Sequence, residues 1–371
     1  MKGRIDLQKV LLALAAPVIA VIFAALVSSV VLLISGDAPL HVFKVMLDFG
    51  TQPQQIVNIL NRSTTYYLSA VAVAIGFRMN LFNIGVDGQY RLAAFLAAAV
   101  GGNIHLPRPL HVLVIILVAM LVGAMWAGIA GLLRTGRGVS EVISTIMLNF
   151  IAFGLIAYLL ENYLKKPTNA ADLTTATRPI PPSGLFPALL HNPIQNLSST
   201  LILAVVVGVL FYVVVWRTRF GFDLRASGLN PDAARVSGIS PNAMVMRTML
   251  LSGAIAGLVG MTELLFNARA YNLDFPADLG FTGIAVALVG RNHPAGAALA
   301  ALLFAFLNHS ALILDLNNIP KEIVQIMTGI IILSVVIAYE VVRRLVQAQE
   351  TRAAAEKARA MGLDREPVSA A

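Results

Sequence analysis

The side chains of this 371-residue chain offer almost no pattern that could make or break a covalent bond. The sequence has no GxxxxGK[ST] phosphate loop, so the chain itself is not expected to hydrolyse ATP, and it lacks HExxH and GxSxG. His309 and Ser310 are adjacent, and neighbouring helical residues point apart, which argues against a hydrolytic pair. With no cysteine, the chain has no thiol nucleophile and no thiolate metal site. We therefore expect no catalytic residue and no metal.

The clearest polar feature is a basic island, residues 217–247, between two long apolar stretches. Its centre reads GLNPDAARVSGIS (228–240). Asn230 can cap a short helix, Pro231 suits the first helical position, and Gly238 can end the helix. The island therefore predicts a short amphipathic helix suited to docking. It carries five arginines against two acids, namely Arg217, Arg219, Arg225, Arg235 and Arg247 against Asp223 and Asp232.

A second polar cluster surrounds Gly85 and Gly88, where we predict a broken helix; its members are Asn80, Asn83, Asp87, Gln89 and Arg91. If the flanking apolar stretches cross a bilayer, each polar group is a candidate for a transport pathway or for packing. Asp87 and Arg91 stand at i and i+4 and can neutralise each other. Asn83 and Gln89 are candidates for shaping the break and for the substrate pathway. Asn149 either makes a hydrogen bond between helices or is a further residue of the substrate pathway.

The composition indicates the elements that must position these groups. Hydrophobic residues make up 58% of the chain and charged residues 12%, and the mean hydropathy is +0.79. A water-soluble domain carries about 25% charged residues, so we predict an all-α, polytopic transmembrane bundle. The net charge of +8 does not indicate nucleic-acid binding, because the arginines cluster in short loops between apolar runs.

About ten spans are predicted, since a crossing helix needs roughly 20 apolar residues. They fall near 10–34, 56–77, 86–104, 111–133, 139–163, 198–216, 243–266, 279–290, 295–314 and 321–342. The distribution of lysine and arginine predicts cytoplasmic N and C termini. Residues 1–346 then form the transmembrane domain and 347–371 a charged cytoplasmic tail.

Two loops of the predicted topology are long enough to contact partner proteins outside the bilayer. Residues 217–242 form the cytoplasmic loop with the basic island, and residues 164–197 form the main extracytoplasmic loop. Prolines and small polar residues argue against regular secondary structure in 164–197. This outer loop is either a flexible connector or a landing surface for an extracytoplasmic partner.

Similar segments hint at two related halves with broken helices. SEVISTIM (140–147) resembles KEIVQIM (321–327), and FNIGV (82–86) echoes FTGIAV (281–286). The distance along the chain from the first segment to the second is not the same in the two halves. These segments therefore only hint at a duplication, of a kind that is common among transporters.

Five blocks occur in order along the chain: GFRMNLFNIGVDGQYRLAA (76–94), GVSEVISTIMLNFIA (138–152), GLNPDAARVSGIS, LSGAIAGLVG and GIAVALVGRNHPAGAALAALLF (283–304). Together they resemble permease subunits of ABC importers in the ribose and branched-chain amino acid superfamily. The likeness is greatest to the nucleoside or simple-sugar branch, which works with basic-membrane-protein-type lipoproteins. Asp87 and Tyr90 stand where Glu and a more aliphatic residue are expected, which leaves substrate specificity open.

The resemblance implies a multi-pass subunit of the cytoplasmic membrane that translocates nucleosides or related simple sugars by alternating access. It implies as partners an ABC ATPase, an extracytoplasmic substrate-binding lipoprotein and a second permease, which we expect to be a paralogue. The chain binds no cofactor under this interpretation, because the partner ATPase uses ATP and Mg²⁺. The segment GLNPDAARVSGIS matches the family's coupling segment, which implies ATPase contacts at Gly228, Asn230, Pro231, Ala233, Ala234, Arg235 and Gly238.

Other functions fit parts of the same pattern. An ion-coupled secondary transporter of small polar solutes would need a titratable pair within the membrane, and Asp87 with Arg91 is the candidate. A membrane scaffold would show no dependence on substrate. Within the ABC family, a simple sugar or a branched-chain amino acid is the alternative cargo.

Overall fold

A computed structural model describes residues 22–167, 174–190, 196–317, 319, 322–335, 337, 341 and 344. This part of the chain is mostly helical, which confirms the helical part of the predicted fold class. The α-helices of the described residues are α1 (Ile22–Ile34), α2 (Pro39–Gly50), α3 (Pro53–Phe77), α4 (Val86–Gly101), α5 (Arg108–Arg137), α6 (Glu141–Leu159), α7 (Thr200–Arg217), α8 (Arg219–Leu229), α9 (Pro231–Val236), α10 (Pro241–Ala256), α11 (Leu279–Val289), α12 (Pro294–Leu316) and α13 (Glu322–Val335). Short elements are π-helical turns at Leu160–Leu164 and Glu263–Ala268, a 3₁₀ turn at Pro182–Gly184, and the antiparallel strands β1 (Ala188–Leu190) and β2 (Leu197–Ser198).

Four helical segments of the described chain are long and apolar enough to cross a membrane: Arg108–Arg137, Glu141–Leu164, Thr200–Arg217 and Pro294–Leu316. A fifth is added if α1 and α2, which bend by 115° at their junction, form one broken span. The prediction of about ten spans is not confirmed. Helices α4, α10 and α11 have only 16, 16 and 11 residues, fewer than the roughly 20 that a crossing helix needs. The predicted location of the termini stays a prediction, and the tail 347–371 lies outside the described residues.

The chain divides into two compact units. One comprises Met1–Val45 with Leu314–Ala371 and contains α1 and α13. The other, Met46–Ile313, contains α3 to α11 and most of α12. All the sites described below lie in this second unit.

Helices α5 and α10 pack backbone to backbone through glycines. A Cβ atom added at Gly253 would collide with the carbonyl oxygen of Gly123, and one at Gly257 would collide with that of Ala119. Small residues permit such close approach between helices in a membrane, where lipid provides little hydrophobic drive for association. The LSGAIAGLVG segment is therefore a packing surface.

The segment between α6 and α7 is more ordered than its sequence predicts. It contains β1 and β2, and its backbone pairs with the chain after α10: the amide of Thr177 donates to the carbonyl of Tyr271 at 2.9 Å, and that of Ile180 to Arg269 at 2.7 Å. The expectation that 164–197 lacks regular secondary structure is wrong at the 3₁₀ turn Pro182–Gly184, at β1 and at the start of β2. Thr177 and Ile180 lie outside these elements, and partners distant in sequence supply their hydrogen bonds, which local composition cannot reveal.

Candidate transport and coupling sites

The centre of the basic island folds as α9 in the way that its sequence predicts. The side-chain oxygen of Asn230 accepts hydrogen bonds from the amides of Asp232 and Ala233, each at 3.0 Å, and Pro231 is the first helical residue. Gly238 follows the helix with φ of +81°, a left-handed conformation that glycine adopts without a Cβ penalty. Capping at both ends fixes a helix of only 6 residues.

Most of the predicted coupling residues face outward from α9. Asn230, Pro231, Ala233, Arg235 and Gly238 are exposed, whereas Ala234 is buried. Two residues that sequence reasoning missed flank the helix: Leu229 is 89% exposed and Val236 is 91% exposed. The signal available in the sequence was an apolar residue at each end of a polar helix. The surface therefore combines apolar and basic groups. Arg235 also pairs with Asp232 at 3.1 Å.

Gly228, the remaining predicted coupling residue, lies against the chain that follows α3. A Cβ atom there would approach the Cα of Met79 to 2.7 Å, so Gly228 lets α8 contact this segment directly. Next to it, the Nε of Arg78 donates to the Asn292 carbonyl at 3.0 Å and the guanidinium lies 4.7 Å from the Trp216 ring centroid. Burial, followed by the charges of Arg225 and Arg291, lowers the pKa of Arg78. The end of α3 is therefore anchored in a basic cluster beside the predicted coupling segment.

Two of the predicted pathway residues bond to each other at the break before α4. The amide nitrogen of Asn83 donates to Oε1 of Gln89 at 3.0 Å, and the amide nitrogen of Gln89 donates to Oδ1 of Asn83 at 2.8 Å. Asn83 also donates to Oγ of Ser252, which donates to the Ala72 carbonyl at 2.7 Å. Both amides are 1% exposed, so they join the break to α10 and, through Ser252, to α3.

Asn149, the third predicted pathway residue, reaches the same break from α6. Its side-chain oxygen accepts from the amide of Gly88 at 2.8 Å, and its amide nitrogen donates to the Ile84 carbonyl at 3.1 Å. The residue is 4% exposed. The structure thus brings Asn83, Gln89 and Asn149 together around one broken helix end, where their side chains satisfy backbone and side-chain groups.

Asp87 and Arg91 do not form an ion pair in the described part of the chain. The carboxylate of Asp87 accepts from the amide of Gly280 at 3.0 Å, at the start of α11. The guanidinium of Arg91 lies 4.7 Å from the centroid of the Phe153 ring. Asp87 therefore caps a neighbouring helix instead of neutralising Arg91.

A polar cavity of about 340 Å³ lies away from the break, between the first half of α3, the π-helical turn at Glu263–Ala268 and α12. The sequence drew attention to His309 only as the neighbour of Ser310, and no local spacing groups the lining residues together. The lining residues are Asn58, Asn61, Arg62, Thr65, Tyr66, Thr262, Glu263, Asn267, Pro276, Leu279, His309 and Leu312. Such a concave, mixed surface can bind a small polar molecule.

The profile of one protein family, described as branched-chain amino acid transport system / permease component, matches residues 55–336. That match covers more than half of the chain, including α9 and the polar cavity. The chain belongs to this permease family. It is a multi-pass membrane transport subunit and not an enzyme, which confirms the predicted family.

Several relatives are similar to this permease over most of its length. The guanosine ABC transporter permease NupP of Bacillus subtilis is 34% identical, over 88% of this chain and 93% of the relative. The nucleoside ABC transporter permease NupB of Lactococcus lactis is 31% identical, over 91% and 94%. The glucose ABC transporter permease TsgB13 of Haloferax volcanii is 33% identical, over 87% of both. No solved structure matches the chain.

Proposed function

We propose that this permease is the membrane subunit of an ATP-driven importer and that its cargo is a nucleoside. The proposal rests on the similarity of this chain to permeases named for guanosine and nucleosides. The identities are 34% and 31%, over most of this chain and of each relative. A simple sugar is the second candidate cargo, because a glucose permease is 33% identical. The partners are an ABC ATPase, an extracytoplasmic binding lipoprotein and a second, paralogous permease, all in the cytoplasmic membrane or at its surface.

In this proposal α9 transmits the movement of the ATPase. Its capped ends keep a 6-residue helix intact, and the exposed Leu229 and Val236 offer an apolar contact beside the charge of Arg235. Gly228, in the preceding helix α8, meets Met79, and through this contact a displacement of α9 is proposed to reach the end of α3. The proposed ATPase contacts are Asn230, Pro231, Ala233, Arg235 and Gly238, with Ala234 and Gly228 supporting them from inside.

The alternative of an ion-coupled transporter has less support. It depends on a titratable pair formed by Asp87 and Arg91, and these side chains bond elsewhere: Asp87 to the amide of Gly280, and Arg91 against the Phe153 ring.

Charge reversal at Arg235 tests the coupling role. We expect Arg235→Glu to abolish ATP-dependent guanosine uptake in vesicles that contain the partner ATPase and binding protein, while membrane insertion is unchanged. The lost pair with Asp232 cannot account for such an effect, since an exposed ion pair contributes about 0–1 kcal/mol. The coupling role is contradicted if Arg235→Glu supports uptake at the wild-type rate.

A double variant separates coupling from helix stability. Asp232→Arg combined with Arg235→Glu restores opposite charges within α9 but keeps the reversed charge toward the ATPase. We expect the double variant to remain inactive. Recovery of uptake would mean that Arg235 acts within the helix and not on the ATPase.

A further inference from the structure

The polar cavity carries two opposite charges that do not neutralise each other. Arg62 of α3 and Glu263 of the π-helical turn both line it, yet they form no ion pair among the described residues. The carboxylate of Glu263 accepts from the side-chain amide of Asn267 at 2.8 Å, and Nε of Arg62 donates to the hydroxyl of Tyr66 at 3.0 Å. A donor group and an acceptor group therefore face one cavity, each held by a neighbour on its own element.

The backbone under Glu263 is irregular. Helix α10 ends at Ala256, and residues Glu263–Ala268 form a π-helical turn that Arg269 closes with φ of +60°. π-helical turns are rare and occur frequently at functional sites. Here the turn places Glu263 and Asn267, four residues apart, on the cavity side.

Two lining residues are held in place by hydrogen bonds from α3 and α4. The hydroxyl of Ser69 in α3 donates to the Leu279 carbonyl at 2.7 Å, and the hydroxyl of Tyr90 in α4 donates to the Pro276 carbonyl at 2.6 Å. Leu279 and Pro276 are themselves lining residues. The site is thus preorganised, which lowers the ordering cost of binding.

We propose that this cavity is a subsite for the hydroxyl-bearing sugar ring of the cargo. Glu263 accepts hydrogen bonds from ring hydroxyls, and Arg62 and Asn58 donate to hydroxyl or ring oxygens. A hydroxyl both donates and accepts, so it satisfies both charged groups at once. A neutral ring also suits a site that is lined by one positive and one negative side chain.

The size and chemistry of the cavity agree with such a ligand. A volume of about 340 Å³ is near the lower end of small-molecule pockets, about 300–1,000 Å³. Nucleosides and hexoses share a polyhydroxylated ring, the common part of the guanosine and glucose named for two relatives. The subsite rests on the proposed importer function and deepens it.

The test compares uptake of guanosine with that of 2′,3′-dideoxyguanosine, which lacks both ring hydroxyls, by the assembled transporter in proteoliposomes. We expect Glu263→Gln to raise KM for guanosine about tenfold to a hundredfold, since a hydrogen bond to a charged group contributes about 1.5–3 kcal/mol. Uptake of the dideoxy analogue changes less than twofold. Glu161→Gln, a carboxylate on the other π-helical turn that pairs with Lys165, is the matched control and keeps wild-type values.

A second variant covers the case in which Glu263→Gln does not fold. Arg62 is exposed, so Arg62→Gln leaves the packing intact, and it is expected to reduce the preference for guanosine over the dideoxy analogue in the same direction. An unchanged preference in both folded variants overturns the subsite and leaves the importer function standing. Failure of the wild-type transporter to take up guanosine or glucose with ATP overturns the proposed function instead.

Discussion

At the scale of single residues, the buried amides around the break before α4 replace hydrogen bonds that an unbroken helix would make. Asn83 and Gln89 bond reciprocally, and Asn149 supplies both a donor and an acceptor to the backbone of Ile84 and Gly88. Broken backbone at membrane depth persists only where protein or a water-filled cavity covers it. These three side chains therefore allow the break to exist.

Replacing Asn83 with leucine should destabilise the permease. The change removes the partners of Gln89 and of the amide of Gly85, and it removes a donor to Ser252. Each buried polar group left without a partner costs about 1–3 kcal/mol, so we expect a clear decrease in Tm of the purified protein in detergent.

Asn162→Leu is the control for that measurement. Asn162 is exposed, and among the described residues its side chain donates to the nearby carbonyl of Tyr158 alone. Its replacement should therefore change the free energy of unfolding by about 0.5 kcal/mol or less. Equal Tm values for the two variants would refute a structural role for the Asn83 network.

At the scale of elements, the contact between α5 and α10 depends on missing side chains. The backbones of Gly123 and Gly253 approach so closely that neither position accommodates a Cβ atom, and Gly257 lies equally close to Ala119. A methyl group at such a site must separate the helices, because the atoms that it meets belong to the backbone.

Gly257→Ala should therefore lower the yield of folded permease. Overpacking of this kind typically costs about 1–3 kcal/mol, which detergent-solubilised protein would report as a lower Tm and a broader size-exclusion peak. Gly154→Ala in α6 is the matched control, since no atom lies within 4 Å of the added methyl group. A helical glycine changed to alanine in open space is neutral or stabilising by up to about 1 kcal/mol. A Gly257→Ala protein as stable as this control would contradict the packing role.

Helix α3 connects the two proposed sites. Arg62 lines the polar cavity, and Arg78, sixteen residues later, lies in the basic cluster beside α8. At 1.5 Å per residue the separation along the axis is roughly 24 Å. Between them, Ser69 bonds to the start of α11 and the Ala72 carbonyl accepts from Ser252 of α10. In the proposed mechanism, a movement of α9 is passed along α3 toward the cavity.

At the scale of the whole molecule, the sequence predicted those structural features that depend on residues close together in the chain. The helical class and the capping of α9 by Asn230, Pro231 and Gly238 follow from composition and local spacing, and both are confirmed. The number of membrane spans does not follow from composition and local spacing. Hydropathy treats 243–266 as one span, whereas the chain forms α10, a turn and part of a π-helical turn there.

The polar cavity could not be predicted, for a related reason. Glu263 follows Arg62 by about 200 residues, and His309 follows Glu263 by 46. Only the packing of α3 against the chain after α10 brings the three residues to one surface.

The central claim, that this permease imports nucleosides with energy from a separate ATPase, is tested most directly by guanosine uptake into proteoliposomes. The vesicles contain the permease, its paralogous partner, the ATPase and the binding protein, and they are compared with and without ATP and with and without an ionophore. We predict uptake that requires ATP, persists when the ionophore collapses ion gradients, and is lost in Arg235→Glu. Uptake that continues without ATP and stops with the ionophore would contradict the account.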